Sequence, residues 1–279
     1  MSVVHPLTEY VRPSASRTAN CPGCGNGILA QAILRAFKED NRDMDDFVFV
    51  SGIGCAAWIP SPFFNGDVLH TTHGRPLAFA TGVKLAAPDR NVMVISGDGD
   101  LLAIGGNHFI HAARRNIDMT VICINNSIYG MTGGQVAPTT PVGLKTMTSP
   151  YGNVENSFDI SSLAAAAGAT FVARWTVVHA RQITKTVRKA LAHKGFSFIE
   201  IISQCPVQFG RKSGMGNTTQ MFDYYRDNSV PAAKAAGMTP EELNGRIVVG
   251  ELVETTRPVL DEELEQVRRE LRERSGNNA

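Results

Sequence analysis

Two runs decide how this chain reads: Val92-Met93-Val94-Ile95-Ser96-Gly97-Asp98-Gly99-Asp100, and Val121-Ile122-Cys123-Ile124-Asn125-Asn126-Ser127-Ile128-Tyr129-Gly130. Each opens with an unbroken apolar stretch, the pattern of a parallel strand buried on both faces. Each then breaks into small and polar residues, and a helix-like segment joins the first run to the second. Strand, turn, helix and strand in that order put both polar clusters at the carboxyl ends of strands. That is the edge where open α/β sheets bind ligands. Gly97 and Gly99 let the backbone approach an anion closely, while Asp98 and the Asn126 side chain offer hard oxygens. Mg²⁺ favours such oxygens and completes its octahedron with phosphate oxygens. The stretch reads as a metal–diphosphate clamp. A lone Gly-Asp-Gly is common in turns; the second cluster, also following a β-branched run, gives the motif its weight.

The bulk properties frame this reading. A chain of 279 residues can bury a sizeable core and suits one large α/β domain or somewhat more. Its 43% hydrophobic and 19% charged residues are those of an ordinary globular protein. A net charge of +1 gives no reason to expect nucleic acid or an anionic membrane as partner. No apolar run has transmembrane length, and the N-terminus lacks a basic segment followed by an apolar one. The expectation is a cytoplasmic protein whose five cysteines stay reduced and form no disulfide framework.

Along the chain, residues 1–20 read as an irregular arm rich in Pro, Ser, Thr and Arg. Cys21-Pro22-Gly23-Cys24-Gly25 follows, then a helix over 27–39 with Ile28, Leu29, Ala32, Ile33, Ala36 and Phe37 at helical spacing. Two cysteines two residues apart can share one metal. A thioredoxin-like redox pair is the alternative, but that motif normally follows a strand, and here only the arm precedes it. Cys55 lies in Ser51-Gly52-Ile53-Gly54-Cys55, just past a strand over 47–50, and Cys205 just past a strand over 196–202. Both stand at carboxyl ends, so they can converge with Cys21 and Cys24. Four thiolates suit Zn²⁺ or a [4Fe-4S] cluster, and spacing does not separate the two. Cys123, inside a strand, reads as a small buried hydrophobe.

His70 and His73 in His70-Thr71-Thr72-His73-Gly74-Arg75 are spaced for a metal, but no third ligand is near. They read either as loop histidines bonded to neighbours or as imidazoles facing a cofactor at the head of a helix over 76–86. Pro76 suits the first turn of that helix, whose N-terminus favours an anion. A helix beginning over 104–108 ends at Arg114-Arg115, where basic residues suit the helix dipole. The polar segment from Tyr129 through Met131, Thr132, Gln135 and Thr140 reads as an active-site loop, and Lys145 as a solvated lysine. Helix (160–167), strand (170–173), helix (178–194) and strand (196–202) complete a doubly wound, mostly parallel α/β sheet. The expected organisation is an arm (1–20), a cofactor domain (21–210) and a C-terminal extension (211–279) that meets a partner or wraps its own domain. A charged helix is expected over 259–274.

Taken together, Cys21-Pro-Gly-Cys-Gly, Ser51-Gly-Ile-Gly-Cys55, His73-Gly-Arg, Gly97-Asp-Gly-Asp, Asn125-Asn-Ser-Ile-Tyr-Gly-Met-Thr-Gly-Gly-Gln and Cys205-Pro resemble the thiamine diphosphate-binding β subunits of the 2-oxoacid:ferredoxin oxidoreductases. The likeness runs from about 18 to 211, and the segment from Tyr129 to Thr140 is most similar to the 2-oxoglutarate enzymes. It implies that Asp98, Asn126 and the Ile128 carbonyl hold Mg²⁺ and that the backbone of Gly97, Asp98, Gly99 and Asp100 holds the diphosphate. Gly54, Cys55, His73, Tyr129, Gly130, Met131 and Thr132 would border the cofactor, with His73 and Asn126 as catalytic candidates. Cys21, Cys24, Cys55 and Cys205 would ligate one [4Fe-4S] cluster. The implied reaction decarboxylates a 2-oxoacid with thiamine as electron sink, passes electrons singly through the cluster to ferredoxin, and gives the acyl group to coenzyme A. The carboxylate that activates the thiamine ring is implied to lie on a separate α subunit, in an (αβ)₂ assembly. Rival readings are a pyruvate or broad-specificity relative, a non-redox thiamine enzyme subunit, and a zinc-stabilised nucleotide-binding module without catalysis.

Overall fold

The computed structural model describes residues 5–15 and 18–276. Its centre is an eight-stranded sheet in the order β2-β1-β3-β4-β8-β7-β10-β9. In chain order these are β1 (Phe47–Ser51), β2 (Asp67–His70), β3 (Asn91–Gly97) and β4 (Met119–Asn125); the two-residue strands β5 (Ile128–Tyr129) and β6 (Gln135–Val136) form a separate hairpin. β7 (Phe171–Thr176), β8 (Phe196–Ile202), β9 (Ser229–Pro231) and β10 (Ile247–Glu254) follow. The six strands from β2 to β7 run parallel, and β10 is antiparallel to β7. All parallel strands therefore deliver their following loops to one edge. The chain turns back after β2 and resumes on the far side of β1, so the crevice between β1 and β3 is a topological switch point.

Strand alternation divides the core into two layers. Phe47, Phe49, Met93, Ile95, Ile122, Ile124, Ile199 and Ile201 face one way, onto α1 (Asn26–Glu39) and α5 (Ala180–Ala192). Val50, Val92, Val94, Val121, Cys123, Phe196 and Phe198 face the other, onto α2 (Pro76–Ala86), α3 (Gly106–Arg114) and α4 (Ile160–Ala167). β4 is buried at every residue, which is why its sequence shows no polar alternation. Local signals fix the helix ends: Pro76 opens α2, and the Asp159 side chain accepts from the Ser162 N–H at the start of α4.

The expected helices over 76–86 and 160–167 and the strand over 196–202 are found at those bounds. Three differences matter. Gly99–Ile104 is π-helical, so the turn after β3 coils at once into a wide helical segment that leads into α3. Asp67–His70 is an edge strand paired to β1, placing His70 in the sheet and His73 in the loop beyond it. The C-terminal extension is largely ordered, with α6 (Arg211–Ser213), α7 (Thr218–Asn228), α8 (Ala232–Ala235), α9 (Pro240–Leu243) and α10 (Leu260–Gly276), and its β10 pairs with β7. Residues 247–254 thus belong to the main sheet. The sign of α7 was a capping box, Asn217 with Gln220, ahead of Met221 and Tyr225, the two residues it buries.

Candidate active site

At the carboxyl edge, Asp98 closes β3 with only 1% of its surface exposed. Its carboxylate accepts from the Thr139 hydroxyl. Burial pushes the carboxyl up to about 6, and the Thr139 hydroxyl and the Gly99 and Asn126 N–H groups offset that only in part. Asn126 follows β4, and its Oδ1 accepts from the Ile128 N–H at 3.2 Å. Ser127 between them takes a left-handed backbone (φ 60°), held by Asn125 Oδ1 at 3.1 Å from its N–H and by the Thr140 hydroxyl 2.6 Å from its carbonyl. The Asp98–Asn126 neighbourhood is thus built by three segments: the ends of β3 and β4, and the 137–140 turn laid across them. Gly99 is required here, because a Cβ would stand 2.5 Å from the Tyr129 ring, whose hydroxyl donates to the Gly99 carbonyl at 3.0 Å.

Asp100 does not present its carboxylate to an anion. Oδ1 accepts from the N–H groups of Ile53 (3.2 Å) and Gly74 (2.7 Å) and from His73 Nδ1, and Oδ2 accepts from the Ser96 hydroxyl at 2.5 Å. His73 remains partly exposed, with its ring 6.0 Å from that of Tyr129. His70 is separate: its Nδ1 meets the Ser51 hydroxyl at 3.0 Å, so the two histidines do not share a site. Met131 and Thr132 are exposed on the β5–β6 turn, where the Thr132 hydroxyl bonds Gln135 Oε1 at 2.6 Å.

The four cysteines come from three segments that are tied together. The Cys24 N–H donates to the Cys21 carbonyl at 3.0 Å, closing the first turn. Gln204 beside Cys205 donates to the Gly23 carbonyl at 3.1 Å, and the Gly25 N–H donates back to the Gln204 carbonyl at 3.3 Å. Buried Asn26 donates to the Cys55 carbonyl at 3.0 Å. A Cβ on Gly130 would lie 3.5 Å from Cys205 Sγ and 3.6 Å from Cys55 Sγ, so the turn after Asn126 reaches the thiols. Gly54 sets the approach to Cys55 with φ 134°. Burial, reinforced by the neighbouring cysteines, pushes the Cys55 thiol up to about 12 and outweighs the Asn26 N–H to hold Cys24 at about 11. Such thiols ionise only beside a strong cation, which fits a ligand set. As placed, however, no three His, Cys, Asp or Glu side chains among the described residues form a ready metal site. Cys123 is wholly buried in β4 and apart from this set.

Sequence reading missed the scaffold behind these groups. Glu200, buried in β8, accepts from Asn125 Nδ2 (2.8 Å), the Ser161 hydroxyl (2.6 Å) and Arg174 Nε (2.8 Å), so the Asn126 loop stands on an ion pair. A lone glutamate within the apolar run Phe198-Ile199-Glu200-Ile201-Ile202 was its visible sign. Thr139 lies within the segment from Tyr129 to Thr140, and its contact with Asp98 shows only in the fold.

Over residues 52–201 the chain matches the family described as thiamine pyrophosphate enzyme, C-terminal TPP binding domain. That span covers the loops at the switch point, and the class defined by fold and site is that of the thiamine diphosphate enzymes. The chain is 52% identical over 264 residues to the 2-oxoglutarate synthase subunit KorB of Methanocaldococcus jannaschii, covering 95% of this chain and 97% of that one. It is 40% identical over 231 residues to the 2-oxoacid:ferredoxin oxidoreductase subunit beta of a Sulfolobus species, covering 81% and 74%. Among solved structures it is similar to the 2-oxoglutarate:ferredoxin oxidoreductase from Magnetococcus marinus with 2-oxoglutarate, coenzyme A and succinyl-CoA bound. That match has 34% identity and a TM-score of 0.85, and covers 97% of this chain and 92% of that one. The chain belongs to the β-subunit family of the 2-oxoacid:ferredoxin oxidoreductases. No helix among the described residues is long and apolar enough to cross a membrane.

Proposed function

We propose that this chain is the thiamine-binding subunit of a cytoplasmic 2-oxoglutarate:ferredoxin oxidoreductase. The enzyme converts 2-oxoglutarate and coenzyme A to succinyl-CoA and CO₂, in either direction, and exchanges electrons with ferredoxin. The observation that carries this is the pairing of an uncompensated buried carboxylate, Asp98, with the Asn126 loop, next to four cysteines tied into one corner. Asp98, Asn126 and the Ile128 carbonyl would hold Mg²⁺, and the backbone from Gly97 to Asp100 would hold the diphosphate. Thiamine diphosphate, when bound, supplies the electron sink for decarboxylation. His73, Tyr129 and Gly130 would lie beside its ring, and His73 could hold or give a proton at Nε2. Cys21, Cys24, Cys55 and Cys205 would hold a [4Fe-4S] cluster.

A separate α subunit completes the site, in an (αβ)₂ assembly. Large apolar side chains support this: Tyr151 and Val154 are 98% and 89% exposed, and Met147 and Phe158 also face outward on the same segment. The C-terminal extension beyond 211 offers further partner surface.

The test is anaerobic co-purification with the α subunit, followed by a visible spectrum, iron and zinc analysis, and viologen reduction by 2-oxoglutarate with coenzyme A. The expected result is a broad band near roughly 400 nm, about four irons per chain, and reduction that prefers 2-oxoglutarate over pyruvate. Cys205→Ala should lower the iron content and Cys123→Ala should not. A colourless protein with about one zinc overturns the electron-transfer reading.

A further inference from the structure

Asp100 is the most heavily bonded side chain at the carboxyl edge, and the clamp does not use it. It is 2% exposed and gathers two loops and a strand end: Ile53 after β1, His73 and Gly74 after β2, and Ser96 within β3. The neighbouring glycines are shaped by it. A Cβ on Gly52 would stand 1.8 Å from Asp100 Oδ2, and Gly74, at φ +73°, turns its N–H onto Oδ1 while packing against Ile104 and Gly105. No lysine or arginine bonds this carboxylate among the described residues; its one ionisable partner is His73. A carboxylate accepts only, so the shared proton belongs to Nδ1 of the imidazole, which leaves Nε2 without a hydrogen in the neutral ring.

We propose that Asp100 is a positioning residue that fixes His73 as the Nδ1–H tautomer. It also locks the ring against Tyr129, so that Nε2 is presented to the cofactor cleft as a proton acceptor or, once charged, a donor. This rests on the reading of His73 as a group at the cofactor. It assigns the fourth residue of Gly97-Asp98-Gly99-Asp100 a task different from that of the second: Asp98 would hold the metal, and Asp100 faces the imidazole. The other three bonds to Asp100 hold the carboxylate still, since rotating it would strand the Ile53 and Gly74 N–H groups.

The test uses the full chain with ¹⁵N-labelled histidine, the His73 signals being assigned by their loss in His73→Gln. The expected spectrum has a protonated Nδ1 and a pyridine-type Nε2 at neutral pH in the wild-type chain, with Nε2–H populated in Asp100→Asn. A wild-type His73 that carries its proton on Nε2, or a spectrum unchanged by Asp100→Asn, overturns the proposal without reference to activity. In the enzyme assembled with its α subunit, Asp100→Asn should lower kcat about 10²-fold with KM for 2-oxoglutarate nearly unchanged. His73→Gln should cost a similar factor, and the double variant no more than either alone. Multiplicative losses in the double variant also overturn the positioning role. A wild-type kcat in His73→Gln would instead sink the reading of His73 as catalytic, and the tautomer spectrum would still decide for or against Asp100.

Discussion

Asp98 and Lys84 are both buried charges at the ends of the same sheet, and they are treated in opposite ways. Lys84, on α2 near the amino ends of the strands, is saturated. Its ammonium reaches Asp118 at 3.1 Å, Asp261 at 3.8 Å, and the carbonyls of Pro88 and Arg90 at 2.9 and 3.2 Å. Asp98, at the carboxyl edge, has hydrogen-bond donors but no cation, and burial holds its carboxyl at about 6. Folding surrounds one charge with carboxylates and leaves the other with neutral donors alone. Burial alone does not mark a functional group; burial without a compensating charge is the sharper pointer.

The largest expected effect falls on ligand binding. Asp98→Asn keeps the shape and removes the charge. Magnesium-dependent thiamine diphosphate affinity, read by calorimetry on the assembled enzyme, should drop by more than the ~10²-fold typical of losing an outer-shell partner. Chemical denaturation of the unliganded chain should show no loss of stability. If that stability falls by several kcal/mol, Asp98 is architectural like Lys84 and the contrast fails.

Lys84→Met is the mirror image. It takes the buried cation from Asp261 and leaves Asp118 with Lys194 and the Gly195 N–H, and should cost about 3–5 kcal/mol in urea denaturation, with cofactor affinity of the folded fraction unchanged. Burial pushes the Asp118 carboxyl up, but the Gly195 N–H and the charges of Lys84 and Lys194 outweigh it, so it lies below its ordinary value of 3.8. Its contribution to stability is therefore full above pH 3.8 and is lost as pH falls through the depressed folded value. In Lys84→Met that acid-side loss should shrink.

Glu200 lies between the two cases, a paired charge placed one bond from the site. Glu200→Gln leaves Arg174 with Asp159 as its remaining ionic partner and should cost about 2 kcal/mol. Because Asn125 hangs from the same carboxylate, metal affinity should weaken by up to about tenfold. A stability loss with no change in metal affinity would place Glu200 wholly with the architecture.

How much of this the sequence carried depended on range. The meeting of Asp98 and Asn126 was legible because each follows an apolar run, and such ends are local signals. The doubly wound sheet was legible for the same reason through β8. β10 is not legible, although Ile247-Val248-Val249 is β-branched, because Gly250 and a bulge between Glu251 and Val253 break its period. The hydrogen bonds of the Asp100 side chain were not legible, whatever its backbone does. Its partners Ile53 and His73 lie 47 and 27 residues away, and no local pattern reports them. Cys55 and Cys205 stood out by their position after strands, while the bonds from Asn26 and Gln204 that tie their loops to the Cys21–Cys24 turn appeared only in the fold.

Thr139 offers the finest test of the contrast. Its hydroxyl is the one side-chain donor to the Asp98 carboxylate among the described residues, and it comes from a turn that Thr140 and Asn153 hold in place, Asn153 donating to the Thr140 carbonyl at 2.8 Å. Thr139→Val keeps the volume and removes the donor. If the hydroxyl stays on Asp98 while the metal is bound, it acts as an outer-shell partner, and its loss should weaken magnesium affinity by about tenfold. If the metal displaces it, the variant should bind magnesium as well as the wild type or better, because nothing then has to be broken. Titrating magnesium into the assembled enzyme at saturating thiamine diphosphate separates these outcomes. The first means that the 137–140 turn is part of the clamp; the second means that it merely shields a lone carboxylate until the cation arrives.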